Sequence, residues 1–364
     1  MILNKVSEIL LASVRGALNG KAVDVDLVKN LSTAEWLELV SLAQRHNVIP
    51  LVCDGLAGLR KELPANVFAK IAGLTLVAED KYDTRVEVIK RLANLFASHD
   101  IPLMVLKGYG VSLYYPTPNH RSFSDIDTYN FGQLDRADEV LKKELGVDID
   151  VDVHHHTTCV YKGVLVENHF DFVETHSHVS NARFEKILKS EVEKDRKSHH
   201  LEGGVTIELP SPMFNALFLM RHMALHYAAE RVSVRHLCDW KQFVEAEGNN
   251  VDWDYVQSIY KQFNMKRFAD AITRICVDHL GLDASLVPNV ERDEKIEQRI
   301  LHDILYAEFD EAKPEGGLVR IVWWKTRRYF ANSWKHKLIY NESVLWTFFQ
   351  SSYSHLLKPK TIKH

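Results

Sequence analysis

The spacing of apolar positions changes twice along this chain. Up to about residue 97 they recur at helical spacing, with charges between them. The opening stretch, MILNKVSEILLASVRGAL, interrupts its apolar pattern with Lys5, Glu8 and Arg15. It reads as an amphipathic helix and not as a signal peptide. Thr33 stands where an N-cap belongs, ahead of Trp36, Leu37, Val40 and Leu42, and that helix should end near His46 and Asn47. Pro50 opens a further segment, LVCDGLAGL. A longer helix is predicted over 64–97, with Ile71, Leu74, Leu76, Val77, Val86, Val88, Ile89, Leu92, Leu95 and Phe96 on its apolar stripe.

The period then shortens. Residues 101–106, IPLMVL, form an apolar run of the length of one buried strand. Lys107-Gly108-Tyr109-Gly110 break the run and enter a short helical segment, which Pro116 and Pro118 end. A second strand carries Asp125 and Asp127, with Ile126 between them facing a core. Residues 134–145 make an amphipathic helix ended by Gly146. Lys162-Gly163 suits a tight turn joining strands at 157–161 and 164–172 into a hairpin. On the second of these, Glu167, His169 and Asp171 form a polar ridge along one face.

From about Pro210 the helical period returns. Ser211-Pro212 supply a cap and an N1 proline in the favoured order. Further helices are predicted at 234–245, 253–263, 266–280 and 293–306. Pro314-Glu315-Gly316-Gly317 reads as a linker into a basic aromatic tail holding Trp323, Trp324, Lys325, Arg327, Arg328, Tyr329, Trp334, Lys335 and Lys337. The expected organisation is a helical region over 1–97, an α/β core over 98–205, a second helical region over 206–313 and the tail over 314–364.

Composition adds bounds. The 364 residues are 46% hydrophobic and 26% charged, enough to bury a large core. A net charge of −4 is too small to argue for or against a polyanionic partner, but the chain outside its basic tail is mildly acidic, so nucleic acid is not expected. No run approaches the length of a membrane-spanning helix. Cys53, Cys159, Cys238 and Cys276 lie far apart with no CxxC pair, as expected of reduced thiols in a cytoplasmic protein.

The chemistry concentrates between Lys107 and Asp127. Carboxylates at i and i+2 on a strand share a face and repel each other. A shared divalent cation relieves that repulsion, and hard oxygen ligands favour Mg²⁺ (or Mn²⁺). The plain alternative is a polar strand end with two solvated acids. A turn that starts a helix offers N–H groups and a positive dipole end to phosphates, and Gly108 lets a ligand approach the backbone. Lys107 either adds a point charge for a triphosphate or faces solvent. Glu167 is the third carboxylate that the hairpin can place beside Asp125 and Asp127, where it can complete a metal position or take a proton from an attacking hydroxyl. Asp171, on the same face, is the reserve.

The segment LKGYGVSLYYPTPNHRSFSDID resembles the DNA polymerase beta-like nucleotidyltransferase superfamily, and within it a bacterial group of uncharacterised nucleotidyltransferases. The resemblance rests on Leu106-Lys107-Gly108, Tyr115-Pro116, Arg121 and Asp125-Ile126-Asp127, and more weakly on Glu167 with His169 and on Arg235 with Asp239. It implies an α/β (α+β) core with a small mixed sheet, flanked by N- and C-terminal helical regions. It also implies Mg²⁺-dependent transfer of a nucleoside monophosphate from an NTP, ATP above others, to a hydroxyl or phosphate acceptor of unknown identity. Lys107, Gly108, Tyr109 and Arg121 would then bind nucleotide, and Asp125, Asp127 and Glu167 would hold metal. Tyr109 departs from the small residue usual in the wider superfamily, and an inactive nucleotide- or partner-binding protein on the same fold is the alternative.

Other signals compete. His154, His155, His156, His169, His176 and His178 cluster in sequence, but neighbours on a strand face opposite ways and no cysteine joins them. A polar loop in which His155 or His156 touches substrate is the preferred reading. His222 and His226, at i and i+4, suit packing or an ion pair better than a metal. Arg121 serves either a phosphate or a local carboxylate equally well. Arg235 and Asp239, also i and i+4, read first as a surface ion pair. The basic tail can pack as a helical end, lie on an anionic membrane surface or stack on nucleic acid.

Overall fold

A computed structural model describes residues 3–151, 155–176, 178–229, 231–309, 311, 314 and 317–346. The N-terminal region is helical: α1 (Lys5–Asn19), α2 (Val25–Val28), α3 (Thr33–Arg45), α4 (Ile49–Gly55) and the long α5 (Ala65–Ala97). Asn4 caps α1 by accepting from the Ser7 N–H, and Gly20 ends it in the left-handed region at φ 61°. The cap of α3 is Ser32 and not Thr33. Its hydroxyl accepts from the Glu35 N–H, and Glu35 answers by accepting from the Ser32 N–H at 2.8 Å. That reciprocal pair needs a glutamate three residues on, which only Ser32 has.

The next elements alternate. They are β1 (Met104–Val105), α6 (Gly108–Ser112), β2 (Asp125–Tyr129), α7 (Leu134–Leu145), β3 (His156–Tyr161), β4 (Val164–His169), α8 (Val179–Lys194), β5 (Arg196–His200) and β6 (Thr206–Pro210). All six strands join one mixed sheet in the order β3-β4-β2-β1-β6-β5. β2 runs antiparallel to β1 and parallel to β4, and β1 runs parallel to β6. The run 101–106 is buried, but only Met104 and Val105 find ladder partners. The hairpin turn is as expected, with Lys162 and Gly163 both at positive φ. β6 carries the sheet past residue 205, the expected end of the α/β core, because β6 supplies the parallel neighbour of β1.

The remaining helices are α9 (Pro212–Ala229), α10 (Val234–Glu247), α11 (Trp253–Gln262), α12 (Lys266–Ile275), α13 (Glu294–Tyr306), α14 (Leu318–Ala331) and α15 (Ser333–Ile339). α15 packs into the protein, with Leu338 and Ile339 buried, whereas α14 leaves Val322 and Trp323 exposed. Glu315 and Gly316 of the expected linker, and the tail beyond residue 346, lie outside the described residues.

The strand alternation splits the apolar side chains into two cores. Leu103, Val105, Ile126, Val164 and Val166 pack on one sheet face with the C-terminal half of α5 and with Ala137 and Leu141 of α7. Met104, Leu106 and Tyr129 face the other way and join the core of the N- and C-terminal helices. α5 spans both, through Val67 and Ile71 in one and Val88 to Phe96 in the other. Its middle crosses between them, which is why Leu76 and Val77 of the expected stripe are exposed.

α1 and α4 meet closely at Gly55, where an added Cβ would lie 2.1 Å from the Ser13 carbonyl oxygen. Gly55→Ala should therefore destabilise the protein by about 1–3 kcal/mol, the usual penalty of overpacking. A lowered midpoint in chemical denaturation checks this.

Candidate active site

The sheet face that turns toward the C-terminal helices is acidic at one spot. Parallel pairing sets Asp127 opposite Glu167 and Tyr129 opposite His169. Residues in register share a face, so Asp125, Asp127, Glu167 and His169 point the same way. They floor a cleft of about 630 Å³. Arg121, Phe123 and Ser124 line it beside β2, and α9 and α10 wall it through His222, Met223, His226, Arg235, His236 and Asp239.

Asp127 is the best held of the acids. Lys107 Nζ lies 2.7 Å from its Oδ1, and His169 Nε2 lies 3.0 Å from the same oxygen. Burial alone would raise the Asp127 pKa, but Lys107 and His169 outweigh it and hold the carboxyl well below the usual range. Asp125 goes the other way: burial, reinforced by the charge of Asp127, pushes its carboxyl up. The split leaves two adjacent aspartates with different proton affinities. His169 lies 3.6 Å from Glu167 and His156 lies 3.7 Å from it. Burial opposes the charged form of His169, but hydrogen bonds to Asp127 and Glu167 win and raise its pKa. Burial pushes His156 down to about 4 and His155 to about 2, so both are neutral near pH 7.

The turn before α6 departs from the expected phosphate cradle. Lys107 sits at φ 42° and ψ −117°, a region that residues with a side chain rarely adopt. That backbone aims its ammonium at Asp127 and, at 3.2 Å, at His222. Gly108 has a packing reason to be glycine, since a Cβ there would lie 3.0 Å from the Phe123 ring. Tyr109 does not reach the cleft. Its ring lies in the opposite core beside Tyr82, and its hydroxyl meets His199 at 3.1 Å. Asp171 follows the end of β4, so strand alternation no longer governs it, and its carboxylate pairs with Lys189 at 3.6 Å.

Arg121 resolves toward a carboxylate. Its Nε and Nη2 donate to the two oxygens of Asp239 at 2.9 and 2.7 Å, while its Nη1 is buried without a hydrogen-bond partner. Tyr115 donates to Asp239 at 2.7 Å, and Arg235 donates to the same carboxylate at 3.1 Å. The Arg235–Asp239 pair is thus part of a buried network and not a surface pair, because Arg121 and Tyr115 arrive from far away in sequence. On α10, His236 Nδ1 accepts from the Ser233 N–H at 3.0 Å, which leaves its Nε2–H to donate. His222 and His226 face each other, their Nε2 atoms 3.2 Å apart, on the cleft wall. The sequence pattern gave only their helical spacing, and no signal within it placed α9 over the sheet. His178 stacks on Tyr340 away from the cleft, and His154 lies outside the described residues.

Two groups of potential ligand atoms lie within 4.8 Å of one another: Asp127, Glu167 and His169, and His155, His156 and His169. The residues present therefore suit a divalent ion.

The mixed sheet, the acids at i and i+2 and the flanking helices define a nucleotidyltransferase-like fold. A family model described as uncharacterised nucleotidyltransferase matches residues 32–281, and the chain belongs to that family. The match begins in the N-terminal helices and runs past α12, so it takes in the sheet and both cleft walls. No curated protein matches the chain. The crystal structure of an antigenic nucleotidyltransferase-like protein from Paracoccidioides brasiliensis is similar over 44% of this chain and 75% of that one, at 16% identity and a TM-score of 0.32. Among the described residues no helix is long and apolar enough to cross a membrane.

The Asp239 network makes a stability prediction with a defined sign. Burial would raise the Asp239 pKa, but Arg121 and Arg235 hold it at about 2, below the ordinary 3.8. A depressed carboxyl stabilises the fold above its ordinary pKa, and that contribution fades as pH falls through the depressed value. Asp239→Asn should lower stability at neutral pH by roughly 2 kcal/mol and flatten the acid limb between about pH 4 and 2. Arg121→Ala, which strands a buried charge, should cost about 3–5 kcal/mol. Urea melts across a pH series read both.

Proposed function

We propose that the cleft binds a nucleoside triphosphate, ATP above others, as its Mg²⁺ (or Mn²⁺) complex and transfers the nucleoside monophosphate to a hydroxyl or phosphate acceptor. The observation that carries this reading is the set of three carboxylates, Asp125, Asp127 and Glu167, on one sheet face beneath a cleft. Asp125 and Asp127, with Glu167, would hold the ion, which when bound neutralises charge on the phosphates. For a hydroxyl acceptor, its oxygen forms a bond to the α-phosphorus while the bond to the bridging oxygen of the β-phosphate breaks and pyrophosphate leaves. Glu167, half-buried at the cleft floor, is the group assigned to take the hydroxyl proton.

The cleft wall supports the charge side of this reading. Arg235 and Lys107 supply positive charge near the acids, whereas burial holds His222 and His236 well below their ordinary pKa and so neutral. Phosphates are then drawn by two fixed cations. The acceptor, a small molecule or a protein side chain, would enter against the wall that α9 and α10 give the cleft. The four cysteines are free thiols, which accords with a cytoplasmic site of action.

A second reading, nucleotide binding without turnover, is favoured by two observations at the turn before α6. Lys107 is already engaged by Asp127, and Phe123 fills the space beside Gly108. Labelled NTPs with Mg²⁺ or Mn²⁺ and a cell extract separate the two. Transfer of label with pyrophosphate release is expected. Asp127→Ala should reduce it by about 100-fold or more, the scale of removing one preorganised electrostatic group. Calorimetric binding of NTP with no pyrophosphate release assigns the second reading, and neither binding nor release removes both.

A further inference from the structure

The hydrogen bonds of His169 fix where its lone pair points. Nδ1 lies 3.0 Å from the Asp171 carbonyl oxygen, which can only accept, so Nδ1 carries a proton. In the neutral ring Nε2 is then an acceptor. Yet Nε2 faces two more acceptors, Asp127 Oδ1 at 3.0 Å and Glu167 Oε2 at 3.6 Å. The Lys107 ammonium, 2.7 Å from Asp127 Oδ1, offsets the charge of that oxygen from one side, but it does not separate Nε2 from the two carboxylates. A proton on Nε2 is one solution there, and a metal ion is the other. An imidazole whose far nitrogen donates to a backbone carbonyl is the arrangement by which proteins orient a histidine ligand.

A second, independent observation lies beside it. His155 and His156 pack against His169 with ring centroids 5.6 and 5.0 Å away. The Nδ1 atoms of both are buried without a hydrogen-bond partner, and His156 is only 8% exposed. Ligand atoms of these three histidines lie within 4.8 Å of one another, as do those of Asp127, Glu167 and His169.

We propose that Asp127, Glu167 and His169, extended by His155 and His156, form a binding site for one divalent transition-metal ion of the Zn²⁺ or Co²⁺ class. Imidazole nitrogen suits such ions, whereas all-oxygen sets suit Mg²⁺. The inference rests on the transferase reading only in placing this ion beside the NTP-bound Mg²⁺, with Asp127 and Glu167 shared between the two. The donor set itself stands without any nucleotide. The site would then present two unlike cation positions on one strand pair: oxygen-lined at Asp125, and nitrogen-lined at His169.

The test needs no turnover, so its failure and that of the transferase reading are distinguishable. The full chain, stripped with a chelator, is titrated with Co²⁺ in excess Mg²⁺ and no nucleotide, and the visible d–d absorption is recorded. Bands that saturate near one equivalent, resist Mg²⁺ and are displaced by Zn²⁺ are expected. His169→Gln and, separately, His156→Gln should each weaken Co²⁺ binding by about 10-fold or more. Circular dichroism of each variant confirms that it is folded. Absence of bands in the wild-type protein, their loss to Mg²⁺, or their persistence at full affinity in both folded variants overturns the proposal. Should neither variant fold, the wild-type titration alone decides.

Discussion

The carboxylate of Asp239 accepts from Arg121, Tyr115 and Arg235 in a place where water does not reach it freely. Arg121 and Tyr115 belong to the connection between α6 and β2, and Asp239 belongs to α10. One anion therefore ties the loop that precedes β2 to the helix that walls the cleft. Two parallel hydrogen bonds, from Nε and Nη2 to the two carboxylate oxygens, hold the guanidinium and carboxylate coplanar, so the pair fixes an angle as well as a distance. Arg235 shares the same carboxylate and is held beside it.

Within that frame, electrostatics at the floor is a matter of unequal neighbours. Asp127 has an ammonium and an imidazole on one oxygen, while Asp125 has mainly another carboxylate nearby. Two residues apart on one strand, they are driven in opposite directions. The backbone of Lys107 is held at positive φ to make this so, and strain kept at such a place is usually retained for its side chain. Gly108 shows the converse. Its lack of a side chain serves the packing of Phe123, so the glycine in the turn is explained before any ligand is invoked.

Much of this was legible in the sequence where short-range rules apply. Alternation on a strand placed Asp125 with Asp127 and Glu167 with His169, and the Lys162-Gly163 turn set the hairpin. What failed to show was tertiary. β5, RKSHH, is a polar edge strand with no apolar alternation, and it is exposed along most of its length. Val205, Ile207 and Leu209 do alternate along β6, and α8 does space Phe184, Leu188 and Val192 four apart, but neither period says that β6 will pair with β1, about 100 residues earlier. Tyr109 is spaced like a ligand-side residue, but the short α6 turns its ring into the opposite core. Arg235 and Asp239 have the spacing of a solvent-facing pair, and nothing local reveals that Arg121 will cover them. The histidines were visible as a cluster, but which nitrogen faces which oxygen depends on a backbone carbonyl beyond the strand end.

α15 closes the structure from the other side. Lys335 and Asp303 pair at 2.6 Å with both side chains almost fully buried, and Arg221, wholly buried, is capped by Asn181 and the Tyr340 ring. Ribosomes deliver α9 and α13 well before α15. While synthesis is under way, Asp303 therefore has a burial site prepared but lacks the Lys335 ammonium that pairs with it. α15, which packs on α9, takes its place only once the chain has been extended past it. A translation product stopped short of that point keeps a charge it cannot bury, which marks it as unfinished to the machinery that removes unfolded chains.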